Sequence, residues 1–194
     1  MRNLTAVDDV QPALAVPGYP WDFVRRIELR DGAVLRLRPI RPDDEPRLVE
    51  LFNRMSPRSI YQRFFRSYEQ LPEAWYRHFA NVDYSTRLAL VAEDQELIEP
   101  ELHALASWEP GETPSTTEIA AVVEDAWQHR GLGNLLLDAL LGAAETRGHG
   151  RFTADILADN RPMLRLLSRL AHVRRRELNH GVVTLEFERR RSVP

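Results

Sequence analysis

Residues 122–141 read VVEDAWQHRGLGNLLLDALL. An apolar run ends at Val123, a polar loop carries Gly131 and Gly133, and a leucine-rich segment follows at helical spacing. The first turn of a helix has backbone N–H groups without intrahelical partners and about half a positive charge from the macrodipole. Glycines at that point allow left-handed backbone and the close approach of a ligand. Two readings are therefore open: a tight strand–helix turn with no ligand, or an anion site suited to a pyrophosphate. A dinucleotide fingerprint would need a third glycine where this chain has Leu136, and a P-loop would need a lysine, which the chain lacks.

The remainder of the chain narrows the choice. Its 194 residues, 43% of them hydrophobic, are enough for one well-packed domain. No cysteine is present, which excludes disulfide staples, cysteine–zinc sites and a thiol nucleophile. The early Asp8, Asp9 and Pro12 do not fit a secretory signal, and no apolar run approaches membrane-spanning length. A soluble, cytoplasmic protein is the expected setting. All 26 basic residues are arginine, and eleven of them follow position 146 against five acids. The runs VRRREL and ERRRSVP read as solvated faces and not as a nucleic-acid surface, so no such binding is expected. The six histidines show no metal-ligand spacing along the chain, so no metal is expected.

Residues 1–20, with Pro12, Pro17 and Pro20, have no apolar periodicity and read as a flexible lead-in to a single domain over 21–194. Asp31-Gly32 between two β-type runs predicts a hairpin with a type I′ turn. Alternation in its second strand, about 33–40, sets Val34, Arg36 and Arg38 on one face and Leu35 and Leu37 on the other. Asp43 or Asp44 would cap a helix bearing Leu48, Leu51, Phe52 and Met55, and Ser56-Pro57 opens a second one. LPEAWYRHFANV predicts a third, with Trp75, Phe79 and Val82 on a buried stripe. Three strands follow (TRLALVAED, ELHALASW and TTEIAAVVE), then a helix at 131–147 and the strand RFTADILA. A helix at 160–171 capped by Asp159 or Asn160 comes next, and a strand pair turning at Asn179-His180-Gly181 ends the pattern. The order β, helices, βββ, α, β, α, ββ predicts an α+β fold with a mixed sheet and helices on both faces.

Gln128-His-Arg-Gly131-Leu-Gly133 between a strand and a helix, followed by a strand and DNRPMLRLLSRL, resembles the GNAT superfamily of acetyl-CoA-dependent N-acetyltransferases. LRDGAVLRLRPIRPDDEPRLVELFNRMSPRSIYQRFF further resembles the acetyltransferase domain of bacterial protein lysine acetylases. The resemblance covers about residues 24–188 and implies a central twisted, mostly antiparallel sheet of the GNAT type. It implies acetyl-CoA as co-substrate, held by Gln128, His129, Arg130, Gly131, Leu132, Gly133 and Asn134 at the pyrophosphate. Val122 and Val123 would face the pantetheine arm, and Asn160 would support the coenzyme. The acceptor would be a protein lysine or a small-molecule amine, and the protein a monomer or homodimer.

Acetyl transfer consumes a neutral amine, yet a lysine of pKa near 10.4 is neutral in only about one part in 2,500 at pH 7. A general base is the expected remedy. Glu118, on the strand leading to the loop, matches the glutamate that acts as base in those lysine acetylases. Alternation sets Glu118, Ala120 and Val122 on one face and Ile119, Ala121 and Val123 on the other, unless a bulge intervenes. The resemblance also implies a backbone N–H near Val123 as donor to the developing oxyanion. Asp155, on the next strand, is a candidate for holding a cationic acceptor. Many relatives carry a protonating tyrosine in an L-Y-x-x-x-G-F ending, but here Leu167, Ala171 and His172 occupy the corresponding positions. A non-catalytic acyl-CoA-binding regulatory domain is therefore the second expectation.

Overall fold

The computed structural model describes residues 16–94 and 100–190. Eight strands form one sheet in the order β1-β2-β3-β4-β5-β6-β8-β7. They are β1 Arg25–Glu28, β2 Val34–Pro39, β3 Leu88–Asp94, β4 Leu102–Pro110, β5 Thr117–Val123, β6 Phe152–Leu157, β7 Ala171–Asn179 and β8 Val182–Arg189. All neighbouring pairs are antiparallel except β5–β6. Five α-helices flank the sheet: α1 Glu45–Asn53, α2 Pro57–Phe64, α3 Glu73–Ala80, α4 Leu132–Glu145 and α5 Arg161–Leu170. This is the expected GNAT-type α+β architecture. Among the described residues, no helix is long and apolar enough to cross a membrane.

Strand alternation sends the two sides of the sheet into separate cores. Leu35, Leu37, Ile119, Ala154 and Ile156 join a cluster with α4, which contributes Leu132, Leu136, Leu137, Leu140 and Leu141 at helical spacing. Val91, Leu105 and Val122 join a second cluster with Leu48, Leu51, Phe52, Ile60 and Phe79 of α1–α3. Helices therefore cover both faces. The β4–β5 register runs without a shift from Ala104↔Val123 to Pro110↔Thr117. Glu118, Ala120 and Val122 accordingly share the α1–α3 face, as alternation predicts.

Several local expectations change. The β1–β2 hairpin is not a type I′ turn, because only Gly32 has positive φ (85°) and Asp31 does not. Gly32 N–H donates to Leu29 C=O (3.0 Å) and Leu29 N–H to Ala33 C=O (2.8 Å). A three-residue turn ending in a left-handed glycine closes it instead. Trp75 is not part of the buried stripe: it is 37% exposed, whereas Phe79 is 2% and the adjacent Tyr76 also 2%. Its ring meets Phe64 edgewise and Phe79 at a tilt (centroids 5.4 and 5.7 Å) and leaves part of its surface open.

Asp44 directly precedes α1 but does not cap it with its side chain. Its carboxylate accepts from both terminal nitrogens of Arg38 (2.7 and 2.8 Å) and from Arg41 N–H (2.8 Å). Arg38 also donates to Glu93 (2.6 Å), and all three side chains are almost fully buried. Of the lead-in, residues 1–15 lie outside the described residues. Tyr19 is packed, with its hydroxyl donating to Pro39 C=O (2.8 Å). Of the ERRRSVP tail, residues 191–194 are also outside the described part.

Candidate active site

The site originates where two parallel strands part. β5 and β6 pair only at Thr117↔Phe152 and Glu118↔Thr153, after which β5 has no partner on that side. Thr117 N–H points to the β6 side, donating to Arg151 C=O (3.0 Å). By the two-residue period, Ala121 and Val123 orient their backbone groups the same way. The Val123 carbonyl accepts from the Gln128 side-chain amide (3.0 Å), and its N–H faces the open cleft. The Val123 N–H is thus the backbone donor that β5 presents to the cleft.

This cleft is lined by Glu118, Val122, Val123, Gln128, His129, Gly133, Asp155 and Asn160, together with Ser59, Arg63, Met163 and Leu166. Eight of the predicted site residues therefore share one cavity. Arg130, Gly131, Leu132 and Asn134 do not line it. Leu132 is a core side chain, and Arg130 pairs with Asp31 and lies over the Trp127 ring (4.2 Å).

The backbone of the glycine loop narrows the predicted anion cradle. Gln128 N–H is taken by Asp125 C=O (3.2 Å) and Asn134 N–H by Gly131 C=O (3.1 Å). The N–H groups of His129, Arg130, Gly131, Leu132 and Gly133 have no acceptor among the described residues. His129 (φ 61°) and Gly131 (φ 96°) are both left-handed, which makes the succession of amides concave at the start of α4. Arg130 and Leu132 thus contribute through the main chain alone.

The loop is anchored through Asp125 and Ser59, which no sequence pattern marked. The Asp125 carboxylate accepts from Ser56 N–H (2.9 Å), Ser56 Oγ (2.7 Å) and Ser59 Oγ (2.9 Å) at the start of α2. Gln128 Nε2 donates to Ser59 Oγ (3.1 Å). Behind the loop, His103 sits between Glu124 (Nδ1, 2.8 Å) and Asp94 (Nε2, 3.0 Å) and stacks on Trp127 (4.2 Å). Asp94, Glu101 and His103 do have atoms within metal-chelating distance, a grouping that chain spacing did not reveal. Arg54 already supplies a cation there, bonded to Glu124 (3.1 Å) and near Glu101 (3.5 Å). Asn160 caps α5, its Oδ1 accepting from Met163 N–H (3.2 Å), which holds the side chain with its amide NH₂ available to a ligand.

Glu118 stands at the open side of β5. Partial burial in the cleft pushes its carboxyl above the ordinary value, the nearby Asp155 charge adds to this, and Arg63 opposes it. Asp155 itself accepts from Thr184 Oγ1 (2.6 Å) on β8. A second cavity adjoins the first and shares Arg63, Glu118, Ile119 and Ala120 with it. Glu118 thus borders both spaces. No tyrosine lines either cavity.

Comparison with known proteins identifies the family. Residues 35–171 match the family model described as an acetyltransferase (GNAT) domain. Acetyltransferase Pat of Mycolicibacterium smegmatis is 31% identical over 84% of this chain, which spans 48% of that relative's length. Acetyltransferase PA5475 of Pseudomonas aeruginosa is 30% identical over 91% of this chain and 93% of its own. The crystal structure of the GNAT domain of S. lividans PAT is 32% identical, with a TM-score of 0.78 over 88% of this chain and 99% of that one. By fold and by sequence, the chain belongs to the GNAT acetyltransferase family.

Proposed function

We propose that the chain is an acetyl-CoA-dependent N-acetyltransferase that passes acetyl directly to an amine, a protein lysine or else a small-molecule amine. The observation that carries this reading is the position of Glu118 where the two cavities meet. The free amides of residues 129–133 suit the coenzyme pyrophosphate, and the unpaired edge of β5 suits an amide-bearing pantetheine arm. Val122, Val123 and Asn160 line the path between them.

Donor and acceptor then meet at Glu118 from different sides, as a ternary complex requires. Glu118 takes one proton from the ammonium and relays it to solvent. The amine nitrogen bonds to the acetyl carbon, and the Val123 N–H donates to the oxyanion. The C–S bond breaks with its electron pair on sulfur, and the second proton lost by nitrogen neutralises the thiolate. Water carries that proton, since neither cavity offers a tyrosine. The chain has no lysine, so its own side chains offer no acceptor and the modified amine belongs to another molecule.

Glu118→Gln tests the assignment. The variant should bind acetyl-CoA as the parent does by calorimetry, while turnover at pH 7, read as free-thiol release, falls about 10²–10⁴-fold. Its residual rate should climb tenfold per pH unit toward the amine pKa, because only the pre-formed neutral amine reacts. Unchanged turnover refutes the base. The absence of a tyrosine favours one rival, a non-catalytic acyl-CoA-binding domain; that rival predicts coenzyme binding with no thiol release against any protein or amine.

A further inference from the structure

The second cavity, of about 450 Å³, lies between α3 and the β4–β5 face. Its walls carry Trp75, His78 and Phe79 from α3, Ser107 and Glu109 from β4, and Glu118 from β5. From this we infer that it is the acceptor site and takes a primary ammonium on an alkyl stem, with Glu109 as the recognising carboxylate and Trp75 as the wall for the stem. The inference rests on the acetyltransferase reading and adds to it the residues that select the acceptor.

Three features support the assignment. Glu109 and Glu118 are directly opposed partners in the β4–β5 ladder, so both side chains leave the same face. Opposed Cβ atoms in such a pair lie about 4.5–5.5 Å apart, close enough for one ammonium to reach both carboxylates. The Glu109 carboxylate is held through a single oxygen. Oε1 meets His78 Nε2 (2.8 Å) and Arg87 (3.6 Å), and Oε2 has no partner among the described residues. A fixed carboxylate with a free oxygen is what a three-donor ammonium needs as a first contact. Finally, the open side of Trp75 stands at this cavity, where an indole face suits both an alkyl stem and a passing cation.

Arg63 is the charge that must be reconciled with a cationic acceptor. Its guanidinium lies over Phe64 (5.0 Å) and Phe79 (5.6 Å) and borders both cavities. It makes no ion pair among the described residues, and Glu109 and Glu118 both act on it through space. Arg63 and Arg87 face Glu109 and Glu118, and Asp155 and Glu112 add their charge at Glu118, so four carboxylates oppose two guanidinium groups before an ammonium enters. Asp155 shares the face of Glu118 but lines the coenzyme cleft, and its Oδ1 is engaged by Thr184. It is therefore less suited than Glu109 to greet the acceptor.

Steady-state thiol release at saturating acetyl-CoA tests the site. The acceptors are a blocked lysine peptide in one arm and spermidine in the other. Glu109→Gln should raise the acceptor KM at least tenfold while kcat stays within about threefold and the acetyl-CoA KM is unchanged. Trp75→Ala should raise the same KM to a smaller extent. Glu73→Gln, a charge-matched change on the exposed side of α3, should leave it alone. The arm with the lower parental KM identifies the source of the amine. An unaltered acceptor KM in Glu109→Gln, or a rise in Asp155→Asn instead, overturns the site and leaves the acetyltransferase reading intact. A parent protein that binds acetyl-CoA but releases no thiol with either acceptor overturns both.

Discussion

Gly131 and Gly133 are two residues apart, yet alanine at each should fail for a different reason. Gly131 has φ of 96°, and a Cβ there would meet the Arg30 side chain no closer than 3.5 Å. Space is adequate but the backbone is not: a left-handed conformation costs an L-residue about 1–2 kcal/mol. Gly133 is in ordinary helical conformation at the second residue of α4. A Cβ built on it would rest against Leu166 (3.6 Å) and Val123 (3.7 Å), both walls of the cleft beside β5. Nothing in the unliganded protein is strained, and helix propensity favours alanine by up to about 1 kcal/mol. That methyl group nevertheless occupies the place where a ligand would touch bare backbone. Gly131→Ala should therefore lower stability by about 1–2 kcal/mol in urea unfolding. Gly133→Ala should keep or slightly raise stability and weaken acetyl-CoA at least tenfold by calorimetry, about 1.4 kcal/mol. Parental affinity in a stable Gly133→Ala protein would refute the reasoning, since the loop would then be a turn and nothing more.

Two further outcomes follow from buried charge and from the anchoring of the loop. Burial pushes the Asp44 and Glu93 carboxyls up, but the Arg38 guanidinium, helped by Arg47 and Arg36, outweighs it and holds both below their ordinary values. Their stabilisation is therefore complete above the unfolded carboxylate range near pH 4 and is lost as pH falls through the lower folded values. The urea midpoint should drop on acidification below about pH 4, and Asp44→Asn should cost about 3–5 kcal/mol at pH 7 by leaving Arg38 partly unpaired; a pH-independent midpoint between 5 and 2 argues against the network. Asp125→Ala removes the three contacts between the glycine loop and the start of α2. It should cost about 1–2 kcal/mol of thermal stability and several-fold in coenzyme affinity, and unchanged affinity would show that α2 does not hold the loop.

Much of the fold was legible because its signals are local. Ser56-Pro57 marks the start of α2, and the structure has Ser56 Oγ accepting from Ser59 N–H (3.2 Å) as a cap should. The leucine spacing of α4 and the alternation of β5 name the faces they bury, since each depends only on neighbouring residues. The hairpin at Asp31-Gly32 was readable as a turn but not by type, because loop length depends on which strand residues pair. Trp75 was misplaced for a related reason. Periodicity orders the residues of α3 around its axis, but where the packed face ends depends on the sheet beneath.

By itself, then, the sequence determined the order of elements, the strand–glycine–helix junction and the presence of Glu118 on the strand leading into it. Those features follow from propensity, capping and period, which act over a few residues. The tertiary structure decided what surrounds that junction. Antiparallel register placed Glu109 across from Glu118, although nine residues separate them in the chain. The parting of β5 from β6 opened the cleft, and no residue in either strand announces where pairing stops. Packing turned Arg130 away to Asp31 and tied Asp125 and Gln128 to a helix some seventy residues earlier. Long-range contacts of this kind are paid for by burial across the whole domain, and so they cannot be read from any one stretch of it.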